Sequence, residues 1–298
     1  MLRACKWVDE VVEAAPYVTQ VSVLDEHNID FCLHGDDPTF TADGTDCYAE
    51  VKAAGRYREY PRTPGVSTTD LIARMMVALD AMDAGEKDGV PTALAESREE
   101  YISSRFTKGS DFIANSYKIA QFARTVAPPK PDDTVVYVDG AFDVAHAGHM
   151  SLLAKAKALG TYLIVGIYDD ATVNSFKGGN LPICTQHERA LSLLSCRHVD
   201  DVVFGAPLFL TASYLDALGV DVVVHGTVLD QPSKLEADPY RIAKERDIFR
   251  TVESDFQTTT TSILERVRLN RSIYEERNRR KQAKEAAAAA AIDAGESA

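Results

Sequence analysis

The sequence predicts an α/β protein with parallel sheets, and two observations support this fold class. From residue 134 to residue 226, short β-branched runs alternate with segments of helical apolar spacing. A pattern of similar residues also occurs twice along the chain. Because alternating strands and helices favour a parallel sheet covered by helices on both faces, we expect Rossmann-like domains in two copies.

The individual elements are clearest in the second copy. Strands are predicted at TVVYVDG, YLIVGIYDD, DDVVFG and VDVVVHG, and helices at HMSLLAKAKALG, QHERALSLLSC and SYLDALG between them. A further helix is predicted at DFIANSYKIAQFAR, before the stiff linker APPKPDD. The tail is expected to begin as a basic helix and to end Ala-rich. Its apolar residues stop near Tyr274, so membrane insertion is not expected.

The repeat defines the predicted domains. KWVDEVVEAAPYVT, from residue 6, matches RHVDDVVFGAPLFL, from residue 197, and the match continues to place Tyr48 on Tyr240. The second copy starts near Thr134, whereas Met1 matches a position well inside it. We therefore expect an incomplete first copy, as from an internal methionine, a splice form or a cloned fragment. The predicted boundaries are 1–77 for the first copy, 78–133 for a connector, 134–266 for the second copy and 267–298 for the tail.

Composition limits the classes of function. The 298 residues are 45% hydrophobic and carry a net charge of -13, which argues against a nucleic-acid partner. The start has no signal core, and no stretch approaches transmembrane length. The five cysteines form no C-x-x-C pair, which suits reduced thiols. We expect a cytoplasmic protein.

The segment VYVDGAFDVAHAGHM predicts a phosphate site. A strand ends at Asp139-Gly140, and a helix is expected to begin around His146 and His149. Helix N-termini offer unpaired N–H groups and a positive dipole, and the two imidazoles can donate hydrogen bonds to a transferring phosphate. Gly148 is expected to leave room for that phosphate. A helix-capping histidine is the alternative, and zinc lacks a third ligand in the sequence.

VDGAFDVAHAGH resembles the signature of the cytidylyltransferase family, within the HxGH nucleotidyltransferases. KWVDEVV, RTPGVSTTDLI and FIANSYKIAQFA extend the resemblance over nearly the whole chain. The two-copy arrangement is similar to members that act on phosphoethanolamine. The resemblance implies the reaction of CTP with phosphoethanolamine to give CDP-ethanolamine and pyrophosphate, with Mg2+ bound with CTP, and a possible homodimer.

The resemblance also implies residue roles at the phosphates. His149 would lie nearest the transferring phosphate, and the backbone of Ala141 and Phe142 would follow the nucleotide. Lys177 would reach the phosphates from a mobile loop, or is an ordinary surface lysine. Arg197 would lie near the phosphates, or is a helix-end cation.

Family members bind CTP through an R-T-x-G-[IV]-S-T-[TS] segment. The first copy has it intact, and the resemblance assigns nucleotide binding to Arg62, Thr63, Gly65, Ser67 and Thr68. The second copy has Ser254 in place of the arginine and Gln257 in place of the glycine, and it keeps the capping run Thr259, Thr260 and Thr261. We therefore expect weakened nucleotide binding there, or help from Arg62.

The remaining candidates concern the cytidine and the substrate amine. His34 and Gly35 in one copy, and His225, Gly226, Thr227 and Val228 in the other, would lie near the cytidine, or form strand-ending turns. Asp139 would bind the ammonium group, or cap a turn. Tyr17 would face the amine as a cation–π partner, where the second copy has Leu208.

Two other functions stay open at the level of sequence. One is a truncated nucleotide-binding or regulatory protein without turnover. The other is a different HxGH nucleotidyltransferase, such as an adenylyltransferase, against which RTPGVSTT favours CTP.

Overall fold

The computed structural model describes residues 1–35, 39–41, 43–61, 68–83, 118–228, 237–277 and 279–280. They belong to two compact units, one comprising Asp9–Val66 and the other Met1–Val8 with Ser67–Ala298. Each unit has its own parallel sheet, which confirms the predicted α/β class.

The smaller unit holds a two-stranded sheet with two short helices. Its strands pair in parallel, with Cys32 opposite Tyr57 and Gly35 opposite Tyr60. Leu24, Cys47 and Val51 are its fully buried apolar side chains among the described residues. In chain order the elements are α1 (Val21–Glu26), β1 (Cys32–Gly35), α2 (Ala49–Ala53) and β2 (Tyr57–Tyr60).

The larger unit is built on a five-stranded parallel sheet in the order β5-β4-β3-β6-β7. Its strands are β3 (Val135–Gly140), β4 (Tyr162–Ile167), β5 (Asp201–Phe204), β6 (Val222–Gly226) and β7 (Phe249–Val252). Its helices are α3 (Thr68–Asp83), α4 (Ala147–Lys157), α5 (Asp170–Lys177), α6 (Gln186–Leu194), α7 (Ala212–Leu218), α8 (Arg241–Glu245) and α9 (Thr260–Leu269).

Both faces of the large sheet are covered, which explains why residues 135–138 of β3 are all apolar or aromatic. Val136 and Val138 point to the face that α4 and α6 cover, in a cluster with Leu153 and Leu193. Val135 and Tyr137 belong to a separate cluster on the other face, with Leu215 of α7 and Ala243 of α8. Successive side chains of a strand alternate between faces, so a strand buried on both sides must be apolar throughout.

The strand order creates a switch point beside β3. The chain proceeds from β3 outwards to β4 and β5, and then returns to place β6 and β7 on the opposite side of β3. The carboxyl ends of β3 and β6 therefore lie next to each other at this switch point. Ligands of open parallel sheets bind at such switch points.

The sequence repeat is also a structural repeat. The pairing of Cys32 with Tyr57 in the smaller unit corresponds to that of Val223 with Phe249 in the larger one. His34 Nδ1 lies 3.0 Å from the carbonyl oxygen of Gly35, and His225 Nδ1 lies 2.7 Å from that of Gly226. The equivalent helices α2 and α8, and strands β2 and β7, have the same lengths.

The compact units do not follow the repeat, because two segments of the first copy belong to the larger unit. The backbone amide of Lys6 donates to Ser195 (2.9 Å), and that of Arg197 donates to Ala4 (2.8 Å), so that Cys5 pairs with Cys196 in an antiparallel bridge. Helix α3 packs against α9 through a shared apolar cluster. The predicted domain boundaries remain a prediction.

The connector and tail are described only in part. Residues 118–122 are helical within the predicted connector helix, whose earlier part lies outside the described residues. Residues 271–277 of the tail are helical, as predicted for its start. No helix in the described part of the chain is long and apolar enough to cross a bilayer.

Candidate active site

A pocket of about 550 Å³ opens at the switch point between β3 and β6. It gathers most of the residues predicted for the second copy, from the β3–α4 loop, the start of α4, the end of α5, the end of β6 and the start of α9. These are Asp139, Ala141, Phe142, His146, His149, Lys177, His225, Gly226, Thr227, Val228, Thr259 and Thr260.

The loop between β3 and α4 has an uncommon backbone conformation. Phe142 and Val144 have φ values of 51° and 45°, in the left-handed region that side chains with a Cβ rarely adopt. The side chain of Phe142 is also buried. Strain of this kind persists only where the surroundings enforce it, and it is concentrated at functional sites.

Arg189 of α6 enforces that conformation, and the sequence interpretation missed it. Its side chain is 1% exposed and donates hydrogen bonds to the carbonyl oxygens of Ala141 (2.5 Å), Tyr168 (2.8 Å) and Cys184 (3.1 Å). It also pairs with Asp170 at 2.7 Å. One buried guanidinium therefore connects the segments that follow β3, β4 and α5. The available signal was an arginine on the apolar face of a helix.

The start of α4 is arranged for an anion. His146 is the N-cap residue, and its side chain makes no capping hydrogen bond. The imidazoles of His146 and His149 stack with their centroids 3.8 Å apart, and the ring of Phe142 lies 5.3 Å from that of His149. The first amides of a helix have no partner within the helix. They can therefore bind phosphate beside two imidazoles.

Gly148 lines the pocket between His146 and His149, and its predicted role in giving phosphate access to the backbone remains a prediction. A Cβ at this position would lie 3.0 Å from the carbonyl oxygen of Thr258 and 3.1 Å from the His146 ring. Gly148 therefore also permits close packing of the segment that precedes α9.

Lys177 is the last residue of α5 and lines the pocket. Burial raises the pKa of the neighbouring Asp143, although hydrogen bonds from the amides of Cys184 and Ile183 and the charges of Lys177 and Arg189 oppose that rise. The two amides lie 2.8 and 2.7 Å from the carboxylate. Asp143 thus anchors the segment that follows Lys177.

Asp139 is the second buried carboxyl group of the pocket, with 6% exposure. The hydroxyl of Tyr240 donates to Oδ1 at 2.7 Å, whereas Oδ2 has no hydrogen-bond partner among the described residues. Burial raises the pKa of Asp139 to about 6, against the lowering effect of the Tyr240 and Tyr168 hydroxyls. A buried carboxylate oxygen without a hydrogen-bond donor suits an ammonium group. The repeat marked Tyr240 by its match to Tyr48, but its role was not predicted.

The remaining pocket residues lie at β6 and α9. Burial lowers the pKa of His225, although the Gly226 carbonyl opposes this, so the ring is neutral near pH 7. Thr259 caps α9 by accepting a hydrogen bond from the amide of Ser262, as predicted. The Thr260 hydroxyl donates to the Asp143 carbonyl at 3.1 Å, and thereby connects α9 to the β3–α4 loop.

Several predicted residues lie elsewhere. Arg197 does not line the pocket, because its guanidinium donates to the carbonyls of Cys5 (2.9 Å) and Val8. Thr261 is exposed on the first turn of α9 and does not line it either. Thr68 is the first residue of α3. His34, Gly35 and Tyr17 belong to the smaller unit, where Tyr17 is 70% exposed. Arg62, Thr63, Gly65 and Ser67 lie outside the described residues.

Most of the chain is similar in sequence to known cytidylyltransferases. The cytidylyltransferase-like family model matches residues 1–74 and 137–284. The chain is 45% identical to the ethanolamine-phosphate cytidylyltransferase of Mus musculus, over 96% of this chain and 76% of that protein. It is 44% identical to the ethanolamine-phosphate cytidylyltransferase of Dictyostelium discoideum, over 95% of this chain and 79% of that protein. It is 29% identical to the choline-phosphate cytidylyltransferase A of Homo sapiens, over 78% of this chain and 59% of that protein.

Proposed function

Because the chain belongs to the ethanolamine-phosphate cytidylyltransferase family, we propose that its second-copy pocket transfers CMP from CTP to phosphoethanolamine, giving CDP-ethanolamine and pyrophosphate. One observation carries the assignment of this pocket. A helix start with two stacked histidines and a buried carboxylate with an unbonded oxygen lie in one cavity at the switch point of the sheet. The first can bind a triphosphate and the second an amine.

The proposed mechanism is a direct displacement without a protein nucleophile. An oxygen of phosphoethanolamine attacks the α-phosphate of CTP in line with the departing pyrophosphate. His146, His149 and the first amides of α4 donate hydrogen bonds to the phosphoryl oxygens as negative charge develops. Lys177, which also lines the pocket, adds a positive charge. These residues therefore position the substrates and stabilise the transition state, and none of them forms a covalent bond to a substrate.

The substrate amine is assigned to Asp139. A primary ammonium can donate a hydrogen bond to Oδ2, whereas a trimethylammonium group has no N–H to donate. The hydroxyl groups of Tyr240 and Tyr168 lie beside the same carboxyl group, and their oxygens can also accept hydrogen bonds from an ammonium group. This favours phosphoethanolamine over phosphocholine.

We propose that Mg2+ enters with the nucleotide. Among the described residues, no group of three or more His, Cys, Asp or Glu side chains is placed to hold a metal ion. Mg2+ commonly binds to substrate phosphates with one or two protein carboxylates or none, and it would neutralise charge on the triphosphate. We also propose a cytoplasmic location, a homodimer and no nucleic-acid partner. The five free cysteines support the cytoplasmic location, and the net charge of -13 argues against a nucleic-acid partner.

The test is a product assay on the purified full chain. We expect CDP-ethanolamine and pyrophosphate from CTP, phosphoethanolamine and Mg2+. Far less product should form when ATP replaces CTP, or when phosphocholine replaces phosphoethanolamine. His149→Ala should abolish product without unfolding the protein. Absence of CDP-ethanolamine at high enzyme concentration would refute the proposal.

A second candidate is nucleotide binding without turnover. It is favoured by Ser254, which lines the pocket where the family segment has arginine, and which bonds locally to the Phe256 carbonyl at 2.8 Å. Calorimetric binding of CTP without formation of product would support this candidate.

A further inference from the structure

Helix α3 belongs to the first copy of the repeat, but it packs beside the loop that follows Lys177 in the second. This loop, residues 178–184, is here named the lysine loop. Its buried side chains Leu181 and Ile183 share an apolar cluster with Ile72, Met75, Met76, Ala78 and Leu79 of α3. Met82 packs against the same cluster.

The closest approach is at Gly179. Gly178, Gly179 and Asn180 have φ values of 67°, 59° and 57°, so the chain turns sharply directly after Lys177. A Cβ at Gly179 would lie 2.7 Å from Cγ of Met82. Met82 therefore lies directly over the backbone of the turn that ends the lysine-bearing helix.

A second contact holds the far end of the loop. Arg74 of α3 forms a bidentate ion pair with Glu188 of α6, with distances from 2.7 to 3.0 Å, and lies 3.4 Å from the Ile183 carbonyl. Glu188 also caps its own helix through Thr185. Burial alone would raise the pKa of Glu188, but the hydrogen bond and charge of Arg74, together with Thr185, lower it. The carboxylate therefore stays ionised and paired.

We propose that α3 is a positioning element of the reaction, in which Met82 and Arg74 of the first copy hold the lysine loop and thereby place Lys177 against the phosphates. This rests on the proposed function for the role of Lys177. Lys177 lies directly before a turn that contains Gly178 and Gly179, and glycines can adopt many backbone conformations, so the turn keeps one conformation only when neighbouring segments hold it. Met82 and Arg74 hold it at opposite ends.

The test combines kinetics with a double-mutant cycle. Met82→Ala should lower kcat roughly three- to tenfold with the KM for phosphoethanolamine unchanged, because fewer molecules hold Lys177 in place. Met82→Leu should restore most of the loss. Val267→Ala, in the same cluster on α9, and Val77→Ala, on an exposed face of α3, are matched controls and should leave kcat within about twofold.

The cycle distinguishes positioning from simple destabilisation. In a Lys177→Ala background, Met82→Ala should have no further effect on kcat, since it acts through the missing lysine. An equal loss in both backgrounds would overturn the proposal.

Hydrogen exchange gives a readout independent of turnover. The Leu181 amide, bonded to the Gly178 carbonyl at 3.1 Å, should exchange faster in Met82→Ala, while those of Ile183 and Cys184, bonded to Asp143, stay slow. Unchanged exchange at Leu181 would also overturn the proposal. Because this readout does not depend on turnover, it applies even if the wild-type chain forms no product. Absence of product would count against the proposed function alone.

Discussion

Replacing Asp139 with asparagine should stabilise the protein and disable it. Since tenfold in a protonation equilibrium is worth about 1.4 kcal/mol, a pKa raised from 3.8 to about 6 corresponds to about 3 kcal/mol of penalty on the ionised carboxylate at neutral pH. The asparagine side chain would in turn bring a buried amide that costs about 1 kcal/mol. The net expected gain is about 2 kcal/mol in the free energy of unfolding, measured by urea titration at pH 8.

The gain should depend on pH in a defined way. The raised pKa means that the folded state holds the Asp139 proton more tightly than the unfolded chain does between pH 3.8 and 6. Wild-type stability relative to the variant therefore rises as the pH falls through this window. The difference should pass through zero within this window. Below about pH 4, where the carboxyl group is protonated in both states and only the cost of the amide remains, the variant should be less stable than the wild type by about 1 kcal/mol.

Activity should change in the opposite direction. Loss of the carboxylate leaves the substrate ammonium without a counter-charge in a buried site, so the KM for phosphoethanolamine should rise roughly 100-fold or more. Asp143→Asn is the matched control: both oxygens of Asp143 accept backbone amides, and asparagine would set N–H against N–H. It should lower the free energy of unfolding by about 1–3 kcal/mol. An Asp139→Asn protein less stable than wild type at pH 8, or one with normal KM, would refute the reasoning.

Three further substitutions test other parts of the site. His149→Asn should lower kcat roughly 100-fold or more with little change in KM, because its hydrogen bond strengthens in the transition state, and a rise in KM alone would contradict this. Arg189→Met leaves the carbonyls of Ala141 and Tyr168 unsatisfied in the interior and should cost about 3–5 kcal/mol by urea unfolding. The exposed Arg197→Met should cost far less, and an equal cost for the two variants would contradict the stabilising role given to the buried Arg189. Leu208→Tyr restores the aromatic of the first copy beside the pocket and should lower the KM for phosphoethanolamine roughly two- to tenfold through a cation–π contact, whereas Leu208→Met should not.

The fold was predictable because its signals are local. Residues 135–138 of β3 are apolar or aromatic because both faces of the strand are covered, and the sequence repeat predicted that β1 is equivalent to β6. His146 and His149 were predictable because they follow a strand end and start a helix.

The less predictable parts depend on contacts between distant segments. Arg189 joins Ala141, Tyr168 and Cys184, and nothing in its neighbours shows which carbonyls it will meet. Arg197 follows the family position but donates to Cys5, because the amino-terminal segment packs against it. Gly148 lines the pocket, but the local pattern gave no sign that the Thr258 carbonyl packs closely against it. In each case burial and pairing across the fold outweighed the local pattern.

The bridge between Cys5 and Cys196 joins two residues at equivalent positions of the repeat, so a local two-fold axis passes between them. In a dimer of identical chains, every substitution at such an axis is made twice, and both sides must tolerate it. Here each side is encoded separately: Lys6 donates to the Phe122 carbonyl at 2.9 Å, while its counterpart Arg197 donates to Cys5. Duplication within one polypeptide thus releases the halves from symmetry, and lets one lose a ligand-binding group, as at Ser254 and Leu208, while its twin keeps it.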